Sequence, residues 1–164
     1  MSTKLEKART QNESLPSGKG KIIGIVVSEW NKPITDKLLK GAMEKLLEAG
    51  VKEDDMYVEY VPGSIELTFG AKIMIEETLA HAVIVLGCVI KGETPHFDYV
   101  CDSVTQGVTT MNMDYDIPII FGVLTTNNLE QAEARAGGTH GNKGEDCAIA
   151  ALKMIALHEK CKKL

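Results

Sequence analysis

No run of eighteen apolar residues occurs in this 164-residue chain, and its longest apolar stretch, Ala82 to Ile90, is broken by Gly87. A membrane-spanning helix needs about 20 apolar residues in succession, so no membrane partner is expected. Met1 to Lys21 is polar, carries both charge signs and has no apolar segment of the kind a secretory signal requires, which points to the cytoplasm. The four cysteines, Cys88, Cys101, Cys147 and Cys161, lie thirteen or more residues apart and form no CxxC pair. Neither a zinc site nor a disulfide framework is indicated, and free, buried thiols are expected. Positive charge is in the minority, with 18 Lys and Arg against 23 Asp and Glu and a net charge of −5. That balance excludes a nucleic-acid binder dominated by phosphate contacts, while leaving room for a local basic patch that holds one small anion. Aromatic residues make up only 5% of the chain, with a single tryptophan, Trp30.

What is present suits one domain. Hydrophobic residues make up 44%, and a chain near this length buries about 68–70% of its unfolded surface, enough for a core without staples. Residues 1–20 hold four apolar residues, Met1, Leu5, Ala8 and Leu15, before Pro16-Ser17-Gly18, and read as a flexible arm outside the core. Residues 21–164 read as a single α/β domain. Short apolar runs at Ile22–Val27, Met56–Val61, Ala82–Ile90 and Ile117–Leu124 alternate with amphipathic segments, the signature of a parallel sheet with helices on both faces. Glu59 places the second run at an edge. Ile34, Leu38, Ala42 and Leu46 recur at helical spacing, as do Ile65, Phe69 and Ile73, and Val100, Val104, Val108 and Met111, each set predicting one buried stripe. Asn31 and Pro33 suit the start of the first helix and Gly50 its stop. A short helix is expected around Asn128–Ala136 and a last one from Glu145 to Lys160.

In such a sheet, ligands bind beyond the carboxyl ends of the strands. The loops there are Ser28-Glu29-Trp30-Asn31, Pro62-Gly63-Ser64-Ile65-Glu66, Lys91-Gly92-Glu93-Thr94-Pro95-His96 and Thr125-Thr126-Asn127. Trp30 could stack on a flat ring or anchor a core or an interface. Lys91 to Thr94 offers flexible backbone, a hydroxyl and a cation ahead of a helix start, which suits an anion and equally a capped turn. His96 could exchange protons near neutral pH, or simply begin the helix. His96, Asp98 and Cys101 do not share one helix face, which argues against a metal cluster. Cys88, inside an apolar strand, is inert unless its pKa is lowered. The glycine-rich Gly137 to Gly144 lacks the spacing of an ATP-binding loop. It is either a loop needing positive φ or backbone that lets Arg135 and Lys143 approach a ligand.

Taken together, the loops resemble the lumazine synthase family. The resemblance runs from about Ile22 to Leu157 and rests on four ordered blocks: Val61-Pro62-Gly63-Ser64-Ile65-Glu66, Gly87 to Asp98, Pro118 to Thr125, and Arg135-Ala136 followed by Gly141-Asn142-Lys143-Gly144. It implies a three-layer α/β/α fold with a four-stranded parallel, flavodoxin-like sheet. It also implies an aromatic residue, here Trp30, stacking on a pyrimidine ring, with Asn31, Ser64, Ile65 and Glu66 along the ring and its ribityl chain. Cys88, Val89 and Ile90 would contact the pyrimidinedione and Lys143 its carbonyl edge. Gly92, Glu93 and Thr94 match the phosphate-binding turn, with Arg135 supplying charge, although Glu93 departs from the small residue often found there. His96 matches the proton-transfer histidine, and Phe121 would come from a neighbouring subunit.

The implied reaction joins 5-amino-6-(D-ribitylamino)uracil to 3,4-dihydroxy-2-butanone 4-phosphate, giving 6,7-dimethyl-8-ribityllumazine, phosphate and water, with no metal or other cofactor. The same resemblance implies pentamers, and the short link of six residues between Arg135 and Asn142 favours a sixty-subunit shell, with riboflavin synthase as a candidate partner. A non-catalytic flavin or lumazine carrier, or a shell protein without a ligand, is the alternative that the fold alone would allow.

Overall fold

Successive residues of a β-strand point to opposite faces of its sheet, and here the two faces feed two separate cores. In the computed structural model, which describes residues 15–163, Ile23, Ile25 and Val27 of β1 (Ile23–Ser28) enter one core and Val26 the other. In β3 (Ala82–Ile90), Ala82, Ile84, Leu86 and Cys88 join the first core, and Val83 and Val85 the second. Strands covered on both sides must be apolar at every position, which is why these runs do not alternate with polar residues.

The sheet is parallel, in the order β2 (Met56–Val61), β1, β3, β4 (Ile119–Thr126). The first core lies under α1 (Lys32–Glu48) and α5 (Lys143–Cys161), through Ile34, Leu38, Ala42, Leu46, Ala148, Leu152 and Ile155. Truncating one of these leucines to Ala would cost about 2–5 kcal/mol, through lost transfer energy and a cavity. The second lies under α2 (Leu67–Glu77) and α3 (His96–Asp114), through Leu67, Ala71, Met74, Val104 and Val108. After β4 come α4 (Leu129–Arg135), capped by the Asn128 side chain on the Gln131 N–H, and a small antiparallel pair, β5 (Ala136–Gly138) and β6 (Gly141–Asn142). The result is the expected three-layer, flavodoxin-like α/β/α architecture, with β2 at the predicted edge.

Several details differ from the sequence reading. Ile65, Phe69 and Ile73 do not form the buried stripe of α2: all three are exposed, Phe69 by 65%, and Leu67, Ala71 and Met74 face the sheet instead. Both sets are spaced for a helix, and only packing against β1 and β3 decides between them. Of the cysteines, Cys88 and Cys147 are buried, but Cys101 is half-buried and Cys161 exposed at the end of α5. The fourth strand starts two residues later than predicted, the last helix starts at Lys143, and part of the glycine-rich stretch pairs as β5 and β6, with positive φ at Gly137 and Gly141. Residues 1–14 of the expected arm lie outside the described residues. Leu15 packs on the first core and Gly18 donates to the Ala49 carbonyl at 2.8 Å, so this end of the arm is docked.

Candidate active site

From β1 the chain moves outward to β2 on one side, and β3 lies on the other. The loops leaving β1 and β3 therefore diverge and open a crevice at the carboxyl ends of the strands. Trp30 sits on its rim, 72% exposed, held from the β2 side where Trp30 N–H donates to the Pro62 carbonyl at 3.3 Å and Glu29 N–H to Val61 at 2.8 Å. Asn31 is the one described non-glycine residue with positive φ, at 58°. It does not cap α1 with its side chain. Its Nδ2 instead donates to the Cys88 carbonyl at 2.8 Å, pinning the β1 loop to the end of β3 across the crevice.

The β2 loop closes in tightly. A Cβ on Gly63 would lie 2.9 Å from Glu66 Oε2 and 3.4 Å from the Trp30 ring, so the glycine allows acid and indole to meet beside the backbone. Ser64 is buried, while Ile65 and Glu66 are exposed. From the β3 side, Cys88 is buried and Val89 and Ile90 half-buried, and Lys91 N–H extends the ladder to Thr126 O at 2.8 Å. Gly92, Glu93 and Thr94 then lie exposed ahead of α3, whose first residue is His96, also exposed. A helix start presents unpaired N–H groups and the positive end of the macrodipole, so this turn faces outward with anion-binding polarity. Burial raises the Cys88 thiol to about 11. It stays protonated, and the strand end offers backbone and shape rather than a nucleophile.

The remaining predicted residues are elsewhere. Phe121, Arg135 and Lys143 line a cleft of about 440 Å³ between the free edge of β4 and the start of α5. None of the crevice residues lines this cleft. Phe121 pairs with Val85, three residues before Cys88 on β3, which places it about 10 Å down the sheet from the crevice. Arg135 spends one of a guanidinium's five N–H donors on the Gln131 carbonyl, at 2.9 Å, which steadies the side chain and leaves the others for a ligand. Lys143 Nζ lies 2.5 Å from Asp146 Oδ2, one helical turn on. Cys147 behind them is pushed up to about 12, by burial first and by Asp146 second, with Lys143 working against it.

Residues 20–159 match the family of 6,7-dimethyl-8-ribityllumazine synthase. A 6,7-dimethyl-8-ribityllumazine synthase of Parabacteroides distasonis is 58% identical over 142 residues, covering 87% of this chain and 89% of the relative. One from Bacteroides fragilis is 61% identical over 132 residues, covering 80% and 92%. One from Porphyromonas gingivalis is 54% identical over 145 residues, covering 88% and 90%. The chain belongs to the lumazine synthase family.

In this member of the lumazine synthase family the predicted site residues thus fall into two groups. Trp30, Asn31, Ser64, Ile65, Glu66, Cys88, Val89, Ile90, Gly92, Glu93, Thr94 and His96 gather along the strand ends and the loops leaving them. Phe121, Arg135 and Lys143 gather at the β4 edge. Sequence reasoning did not single out Asp146, which pairs with Lys143 inside the cleft. Its signal was available: an acid three residues after a lysine on a helix is an ion-pair spacing.

Proposed function

We propose that the protein condenses 5-amino-6-(D-ribitylamino)uracil with 3,4-dihydroxy-2-butanone 4-phosphate to 6,7-dimethyl-8-ribityllumazine, releasing phosphate and water, the penultimate step of riboflavin biosynthesis. The observation that carries this reading is the exposed Trp30 beside the Gly63–Glu66 turn at the switch point of the sheet. A flat ring stacked there would meet Ser64, Ile65 and Glu66 along its polyol chain and the end of β3 along its edge. Membership of the lumazine synthase family supports the reaction itself.

The amine of the pyrimidine attacks the ketone and water leaves as an imine forms. Phosphate is then eliminated, and the second amine closes the ring onto the remaining carbonyl with loss of a second water. Holding two reactants together supplies much of the acceleration, because a bimolecular encounter becomes effectively unimolecular. His96, exposed at the first position of α3, is the proton carrier for these steps. The turn at Gly92, Glu93 and Thr94 offers backbone N–H groups to the phosphate and Arg135 offers the compensating charge.

The crevice carries Trp30 but neither Arg135 nor Lys143, and the cleft carries both of these cations and Phe121 but not the indole. We therefore read the complete site as shared, the cleft of one copy closing over the crevice of the next. The exposed apolar residues Phe69, Ile73, Tyr99 and Met113 on α2 and α3 give that assembly a surface to bury. The assembly we infer is a homopentamer that builds a sixty-subunit shell in the cytoplasm, with riboflavin synthase as a partner. Incubating the protein with both substrates and following absorbance and fluorescence of the lumazine tests the activity. Product formation that requires both substrates is expected, and none from a folded preparation would contradict it.

A further inference from the structure

The cations of the cleft are only as well placed as the start of α5, and one side chain seats that helix. Asn142, immediately before it, uses both ends of its amide. Its Oδ1 accepts from the Gly144 N–H at 2.8 Å, capping α5. Its Nδ2 donates to the Lys37 carbonyl of α1, also at 2.8 Å, across 105 positions of sequence. The two helices are shaped around this contact. A Cβ on Gly41 would fall 2.4–2.7 Å from the amide atoms of Asn142, and one on Gly144 would fall 1.9 Å from the carbonyl oxygen of Leu38. Both positions must be glycine for α1 and α5 to approach this closely.

Both cations adjoin this seat, one along the chain and one across the β5–β6 pair. Lys143 follows Asn142 directly, and Ala136, which pairs with Asn142 across β5 and β6, follows Arg135 directly. The helix that receives the Nδ2 bond, α1, begins just after Trp30 and Asn31. One side chain therefore ties the cation segment to α1, the helix that starts two residues after Trp30.

We propose that Asn142 is a positioning residue for the reaction, fixing Lys143 for the ring substrate through its bond to α1. The inference rests on the function proposed above. Asn142→Ser keeps a short oxygen for the helix cap, adds no charge, and loses the donor that reaches Lys37. It should lower kcat/KM for the pyrimidine substrate about tenfold, through KM, with kcat changed by no more than about twofold. Gly41→Ala, which favours the helix but pushes the Asn142 amide away, should shift the same parameter in the same direction. Combined with Lys143→Ala, the Asn142→Ser step should cost only about twofold, because a residue acting through Lys143 has nothing left to position.

Wild-type kcat/KM in Asn142→Ser would overturn the proposal, as would a tenfold loss that persists unchanged in the Lys143→Ala background. Failure of both single variants to fold would also overturn it, making Asn142 a stability residue. If the wild-type protein makes no lumazine, both this inference and the functional reading fall. If it does and Asn142→Ser is unaffected, this inference falls alone.

Discussion

The crevice above β1 and β3 and the cleft beside β4 differ in how they are held and in what they show. The crevice is held mostly by backbone: N–H groups of Glu29 and Trp30 reach the Val61 and Pro62 carbonyls, with one side chain, Asn31, on the Cys88 carbonyl, and what it shows to solvent is an indole, a carboxylate, the Lys91 ammonium and a helix start. The cleft is held by side chains, Arg135 on Gln131 and Asn142 on α1, and it shows two cations and a phenyl ring. The indole and the helix start belong to the crevice, and Arg135 and Lys143 to the cleft. Within one chain Phe121 lies on the edge strand, well below the loops, and the cleft reaches the crevice only along the strand ends, where Leu124 and Thr125 pair with Cys88 and Val89. This division of chemistry is what the proposal of a site shared between two copies sets out to explain.

Breaking the two sides should give different kinetic signatures. His96→Ala removes the proton carrier of the crevice and should slow kcat by ~10²–10⁴-fold without abolishing turnover, since proximity remains. Arg135→Ala removes a charge-assisted contact from the cleft and should chiefly raise KM for the phosphorylated substrate, by about 10- to 100-fold. Steady-state kinetics with each substrate varied separates the two. Equal and complete loss in a folded His96→Ala protein would erase the distinction.

A smaller effect concerns the frame beneath both regions. The ion pair of Lys21 and Glu159 ties the approach to β1 to the end of α5, and its hydrogen bond holds the Glu159 carboxyl below the ordinary carboxylate range. A lowered folded-state pKa stabilises above the unfolded value, and that stability is lost as pH falls through the lowered one. Glu159→Gln should therefore unfold slightly earlier than wild type on heating at neutral pH and indistinguishably in acid below the carboxylate range. Because the pair is only half-buried, with the Glu159 side chain still reaching solvent, the difference is expected to be small.

The strands were legible because burial on both faces demands unbroken apolar runs, and β1 and β3 carry them. The stripe of α2 was not: Ile65, Phe69, Ile73 and Leu67, Ala71, Met74 are two apolar faces of one segment, and periodicity cannot say which faces the sheet. The exposed set is the surface on which the proposed assembly draws. In the site, residue types and loop positions were readable, since strand ends in a parallel sheet collect ligands. The division into crevice and cleft was not, because it depends on how far down β4 Phe121 sits. The bond from Asn142 to Lys37 joins positions too distant in the chain for any local pattern to reveal it, as does the bond from Asn31 to Cys88.

The central claim, that one catalytic site takes its crevice from one copy and its cleft from another, is tested by mixing two defective chains. His96→Ala and Arg135→Ala proteins, assayed separately and then co-assembled in equal amounts, should regain activity, since about a quarter of randomly formed interfaces join an intact crevice to an intact cleft. Mixed activity no greater than the mean of the two separate variants would contradict it and return the whole site to a single chain.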